Sequence, residues 1–178
     1  MSAIALRPSP VQARLRGTQA GLTLVEAVTG LLILGVLAAV AVPRYADVQA
    51  KAREVRVKGL AQSLRMVAVA ARSQAEAQGI SCAADGEAQV RIDEVMVPLR
   101  HCYPRAQADL HGGLLAASGL LAGEAWLVRR PATVPVGTVG ELLVQAGDAP
   151  DPARCAVRYV EAPQAGESAE VSPLLGGC

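Results

Sequence analysis

An α+β fold is predicted for this chain: a long N-terminal helix, membrane-embedded in its first half, packed on a small antiparallel β-sheet head. The apolar residues are concentrated from Leu22 to Val42, LTLVEAVTGLLILGVLAAVAV, where Glu26 is the sole charge. Beyond that run the pattern becomes amphipathic, and after Gly79 it breaks into short segments separated by Pro, Gly and Asp. A chain of 178 residues has room for one modest domain and an appendage.

Residues 1–21 carry Arg7, Arg14 and Arg16 and no acid. A basic flank before an apolar run predicts a cytoplasmic N-terminus. Residues 22–43 form the hydrophobic helix. As a helix, the run from Leu22 to Val42 spans roughly 31 Å, close to the hydrocarbon thickness of a bilayer. It is too long for the apolar part of an ordinary secretory signal, so the competing reading is an uncleaved signal anchor. Glu26 stands near the start of the span, where a carboxylate costs at least about 2–3 kcal/mol. The span holds no Lys, Arg or His to offset it, so a cation must come from elsewhere at the same depth.

Residues 44–79 read as an amphipathic helix. Val57, Leu60, Ala61, Leu64, Val67, Ala68, Ala71 and Ala75 recur at three- and four-residue steps and mark one apolar face. Arg44, Lys51, Arg53, Arg56, Lys58, Arg65 and Arg72 outnumber Asp47, Glu54 and Glu76 around the rest. Gly79 is the expected helix stop. Residues 80–178 form the head. Strands are expected at Val90–Val97, Glu124–Val128, Glu141–Gln145 and Arg154–Val160, the last with Cys155, Val157 and Tyr159 on one face. A short helix interrupted by Gly112-Gly113 is expected between Pro104 and Leu121. Four cysteines allow three connectivities. The reading favours Cys82–Cys102, bracketing the first strand region, and Cys155–Cys178, closing the C-terminal segment. Each loop of about 20 residues contributes roughly 3 kcal/mol by restricting the unfolded chain.

The net charge of +1 and the lack of aromatics among the stem cations argue against nucleic acid as a partner. His101 and His111 lie in no zinc-type motif, so neither metal nor cofactor is expected. Asp93-Glu94 would point to opposite faces of a strand, poor geometry for acid–base work. With no nucleotide-binding or nucleophile motif either, an enzyme is not expected.

The junction Gly21-Leu22-Thr23-Leu24-Val25-Glu26 resembles the processing motif of the type IV pilin superfamily. The resemblance implies a prepilin peptidase that cuts after Gly21, leaving residues 1–21 as a leader, and N-methylates Leu22. It implies that Glu26, fifth in the mature chain, neutralises the α-amine of an adjacent subunit, and that Gly35 and Pro43 flank helix able to loosen in the filament. Arg44 after Pro43 also fits the family pattern. Leu22 stands where Phe is commoner, and the leader is longer than in many pilins. Cys-x-Val-x-Tyr from Cys155, the mid-head Trp126 and the closing Gly-Gly-Cys look most like the mannose-sensitive-haemagglutinin class of pilins. A C-terminal disulfide is common in the superfamily, which supports Cys155–Cys178. The implied function is a structural subunit of a type IV pilus, in the adhesion and motility class. Before assembly it would lie in inner-membrane lipid, in contact with the inner-membrane assembly machinery. It would then polymerise with itself into an extracellular filament, the stem cations forming a solvated face and salt bridges to neighbouring subunits. The alternatives are a pseudopilin of a type II secretion system, forming a periplasmic filament, and an uncleaved single-pass anchor carrying a periplasmic binding domain.

Overall fold

The computed structural model describes residues 23–83, 88–120, 125–130 and 139–178. The chain divides into two units, Met1–Pro43 and Arg44–Cys178. Helix α1 runs Leu24–Ala77 and belongs to both. In the first unit its large apolar side chains, from Leu24 to Val42, are exposed. By length and composition α1 is a candidate membrane-spanning helix near the N-terminus.

In the second unit α1 buries Val57, Leu60, Ala61, Leu64, Val67, Ala68, Ala71 and Ala75, the face that its periodicity marks. The larger of these side chains pack on a four-stranded antiparallel sheet. That sheet comprises β4 (Trp126–Arg129), β5 (Glu141–Ala146), β6 (Ala156–Val160) and β7 (Glu170–Leu174), in the order β4-β5-β6-β7. Leu142 lies opposite Tyr159 and Val144 opposite Val157, and all four are fully buried against Val57, Leu60 and Leu64. Period-2 alternation puts these residues on one sheet face. Tyr159 supplies the largest fully buried side chain, and its hydroxyl donates to the Pro104 carbonyl at 2.6 Å.

Farther along α1 the face narrows to Ala71 and Ala75, and a second sheet approaches it. This is β1 (Gln89–Ile92), β2 (Val95–Arg100) and β3 (Tyr103–Pro104). The single strand expected over Val90–Val97 is therefore a hairpin. Ile92 pairs with Val95, and Asp93-Glu94 form the turn, with Asp93 at φ +50°. Asp tolerates that region because its short polar side chain can bond locally. The acidic pair thus lies on a turn and not on a strand. The second turn, His101-Cys102, has positive φ at both residues, as a type I′ hairpin turn requires.

α1 ends in a Schellman motif. Gly79, at φ +69°, donates its N–H to the Glu76 carbonyl, and Ile80 donates to Ala75. Helix α2 (Gly113–Ala117) starts at the Gly112-Gly113 pair instead of being interrupted by it. Arg154 belongs to a short 3-10 turn (Pro152–Arg154) ahead of β6, and β4 begins at Trp126; Glu124 lies outside the described residues. β7 is an additional strand. It carries Pro173, which the sheet accepts because β7 is an edge strand. Disulfides join Cys82 to Cys102 and Cys155 to Cys178.

Candidate functional site

Thr23 immediately precedes α1, and its Oγ1 accepts the Glu26 N–H at 3.3 Å. This is an N-cap bond, and it places Glu26 in the first helical turn, where the helix dipole favours an acid. One turn on, Thr29 Oγ1 donates to the Val25 carbonyl at 2.6 Å. After Glu26 every side chain to Val42 is exposed and none is charged. A contiguous apolar surface of this kind marks a membrane or protein contact. A Cβ added at Gly35 would meet nothing within 4 Å, so the fold of this chain places no steric demand for glycine there. Pro43 lies within α1, where it supplies no N–H to the helix ladder. Gly21 and Leu22, the expected cleavage and methylation residues, and the leader before them lie outside the described residues.

Four of the seven stem cations bond this chain's own head. Arg53 donates to the Cys178 carbonyl at 2.9 Å, and Arg56 donates to Asp148 at 3.2 Å. The Arg56 guanidinium also lies over the Trp126 ring, 5.3 Å from its centroid. Arg65 donates to the Val171 carbonyl at 2.7 Å. Arg72 donates to the Tyr103 hydroxyl and to Glu76, both at 2.8 Å, and these partners hold its guanidinium above the ordinary arginine range.

A buried carboxylate clamps the head together. Glu161 follows β6 and is 6% exposed. It accepts the Ala106 N–H at 2.6 Å, the Gly140 N–H at 3.1 Å and an Arg100 N–H at 3.3 Å. Glu161 thereby ties the loop after β3, the approach to β5 and the end of β2 to one point. Gly140 is required beside it, because a Cβ there would overlap the Glu161 carboxylate. Elsewhere, hydrogen bonds from Arg158 and Arg154 hold the carboxyls of Glu141 and Asp151 below their usual ranges. Burial pushes the Tyr159 phenol well above its own.

Among the described residues no three His, Cys, Asp or Glu side chains converge as metal ligands. The His101 ring nitrogen Nδ1 sits 3.1 Å from the Cys82 carbonyl, and His111 lies beside Asp109 on the surface. Asp93 and Glu94 face solvent at the hairpin turn. No family model, curated protein or solved structure matches this chain. The arrangement defines a class: an α+β protein with a candidate membrane-spanning N-terminal helix and a head braced by two disulfides.

Proposed function

We propose that this chain is a structural subunit of a type IV pilus, cut after Gly21, N-methylated on Leu22 and polymerised through its N-terminal helix into an extracellular filament. The observation that carries the reading is the apolar helical surface from Leu24 to Val42, exposed on all sides, with a lone carboxylate in its first turn. Bilayer lipid satisfies that surface before assembly and copies of the same helix satisfy it afterwards. Glu26 then pairs with the α-amine that cleavage creates on a neighbour. Breaking a buried ion pair of that kind costs about 3–5 kcal/mol, enough to decide whether a subunit adds to a filament. The cleavage motif supports the same reading from the sequence side, and disulfides suit a head that matures outside the cytoplasm.

Mass spectrometry of the purified mature protein tests the processing: an N-terminal methyl-Leu22 is expected, and an intact Met1 in purified filaments refutes it. Glu26→Ala tests assembly: cleavage persists while filament yield collapses, and a normal yield refutes the pairing. Imaging with antibody against the head separates long surface filaments from a short periplasmic filament or a dispersed membrane anchor.

A further inference from the structure

Beside the hairpin sheet a groove of about 380 Å³ opens on the surface of the second unit. Ser63, Met66 and Ala70 line it from the stem, Ile92 and Asp93 from the hairpin turn, and Ala117 from α2. Met66 is 64% exposed there. Asp93 is the one charged residue in the lining, and Glu94 follows it at the exposed tip of the turn. Neither carboxylate pairs with another described residue. Arg91, the nearest cation in sequence, alternates with Val90 and Ile92 and so leaves from the opposite face of the hairpin.

A matching surface lies lower on the same helix. Arg44, Val48, Lys51 and Val55 recur at steps of four and three residues, which puts them on one face of α1. All four are exposed, the valines at 63% and 67%. Arg44 and Lys51 have no partner among the described residues, and Asp47 between them pairs with neither. The stripe thus carries exposed valines between two unpaired cations, and the groove carries exposed apolar surface beside two unpaired acids. One chain cannot bring them together. Val48 and Met66 stand 18 residues apart on a continuous helix, a separation of about 27 Å.

We infer that the groove seats the Arg44–Val55 stretch of a second copy's stem. The second copy's Val48 packs against Met66, and its Arg44 and Lys51 meet Asp93 and Glu94. The two patches differ and are offset along the stem, so a copy seated in one groove still offers its own groove to the next. A contact of that heterologous kind repeats along an axis and builds an open polymer. The inference rests on the filament reading and adds which part of a neighbour covers the lower stem, and by what chemistry. Opposite charges at the rim fix which stretch of the neighbouring helix enters, while the apolar contact holds it.

The test uses the full chain in cells that assemble the parent into filaments, and measures the yield of sheared filaments. Lys51→Glu and Glu94→Lys each set like charges across the contact, and each should lower the yield about tenfold. The two changes together restore opposite charges in reversed order and should recover at least about half of the parent yield. Cross-linking reads the geometry directly. No free cysteine exists in the described chain, and Val48→Cys with Met66→Cys introduces two that one copy cannot join. Oxidation of purified filaments of that double variant should give a ladder of linked copies on a non-reducing gel, with no such ladder from either single variant. All these positions are exposed, and circular dichroism of the purified subunits confirms the fold of each variant. Parent yield from both single charge reversals, no recovery on combining them, or filaments without a ladder overturns the inference and leaves the filament reading standing. A parent that forms no filaments overturns both.

Discussion

Glu161→Ala is the sharpest test of how the head is held together. The side chain is 6% exposed and takes bonds from Ala106, Gly140 and Arg100. Removing a buried, paired carboxylate costs about 3–5 kcal/mol, because its former partners are left in a site that water reaches poorly. Stranding a buried N–H costs about 1–3 kcal/mol, but the three losses share one carboxylate and do not add. A total of about 4 kcal/mol follows, roughly 8–16 °C in Tm at the 2–4 °C per kcal/mol typical of domains somewhat larger than this head. Glu161→Gln keeps one acceptor oxygen and should lose about half as much. The single Trp, Trp126 in β4, reports unfolding by fluorescence in urea with both disulfides intact. If Glu161→Ala stays within about 1 kcal/mol of the parent, the carboxylate is not the clamp its geometry describes.

Two further tests use glycine and tyrosine. Gly79→Ala should destabilise by about 1 kcal/mol through backbone strain alone, since its φ is +69° and an added Cβ meets nothing. Gly59→Ala, in the helix interior with equal space around it, should stabilise by about 0.5–1 kcal/mol. Urea midpoints moving in the same direction would refute the argument. Burial raises the Tyr159 phenol above its ordinary value of 10.0. The folded state therefore holds that proton more tightly, so its contribution is complete below about pH 10 and is lost as pH rises further. Tyr159→Phe should flatten the alkaline fall in the urea midpoint while costing about 1 kcal/mol at neutral pH. An unchanged alkaline profile in that variant would assign the fall to another group.

The stem was readable from sequence because one physical cause governs it: all eight residues at helical spacing are those α1 buries. The Schellman glycine was readable for a similarly local reason, a φ that suits glycine, and the two cysteine pairs because one brackets the first strand region and the other closes the C-terminal segment. The head was harder to read. The Asp93-Glu94 turn interrupts Val-Arg-Ile and Val-Met-Val without Gly or Asn, so the hairpin resembles one strand until Asp93 adopts positive φ. Pro173 hides β7, since a proline reads as a strand breaker unless the strand is known to be an edge. Glu161 gave no signal at all. Its partners include backbone amides from segments 55 and 21 residues away, and amides carry no sequence identity. The destinations of Arg53 and Arg65 are backbone carbonyls and were invisible for the same reason.

The Cys82–Cys102 disulfide stands where the stem's own apolar face is smallest. Against the four-stranded sheet the stem presents Val57, Leu60 and Leu64, each worth about 1.5–3 kcal/mol when buried. Against the hairpin sheet it presents Ala71 and Ala75, whose single methyls contribute about 0.8 kcal/mol each. Small side chains let that sheet approach closely but do little to hold it, and Cys82–Cys102 joins its second turn to the segment just past the end of α1. The other bridge pins the segment after β7 to the main core. Residues 175–178 follow the last strand and have only half-buried side chains or none, and Cys155–Cys178 holds them where Arg53 bonds the Cys178 carbonyl. Each bridge closes a loop of 20 or 23 residues. At roughly 3 kcal/mol apiece from restricting the unfolded chain, either outweighs the alanine methyls beside the hairpin. Beside the hairpin a cross-link thus supports the stretch of stem that presents only alanine methyls, and Val90, Val97 and Leu99 fill the core there without Phe.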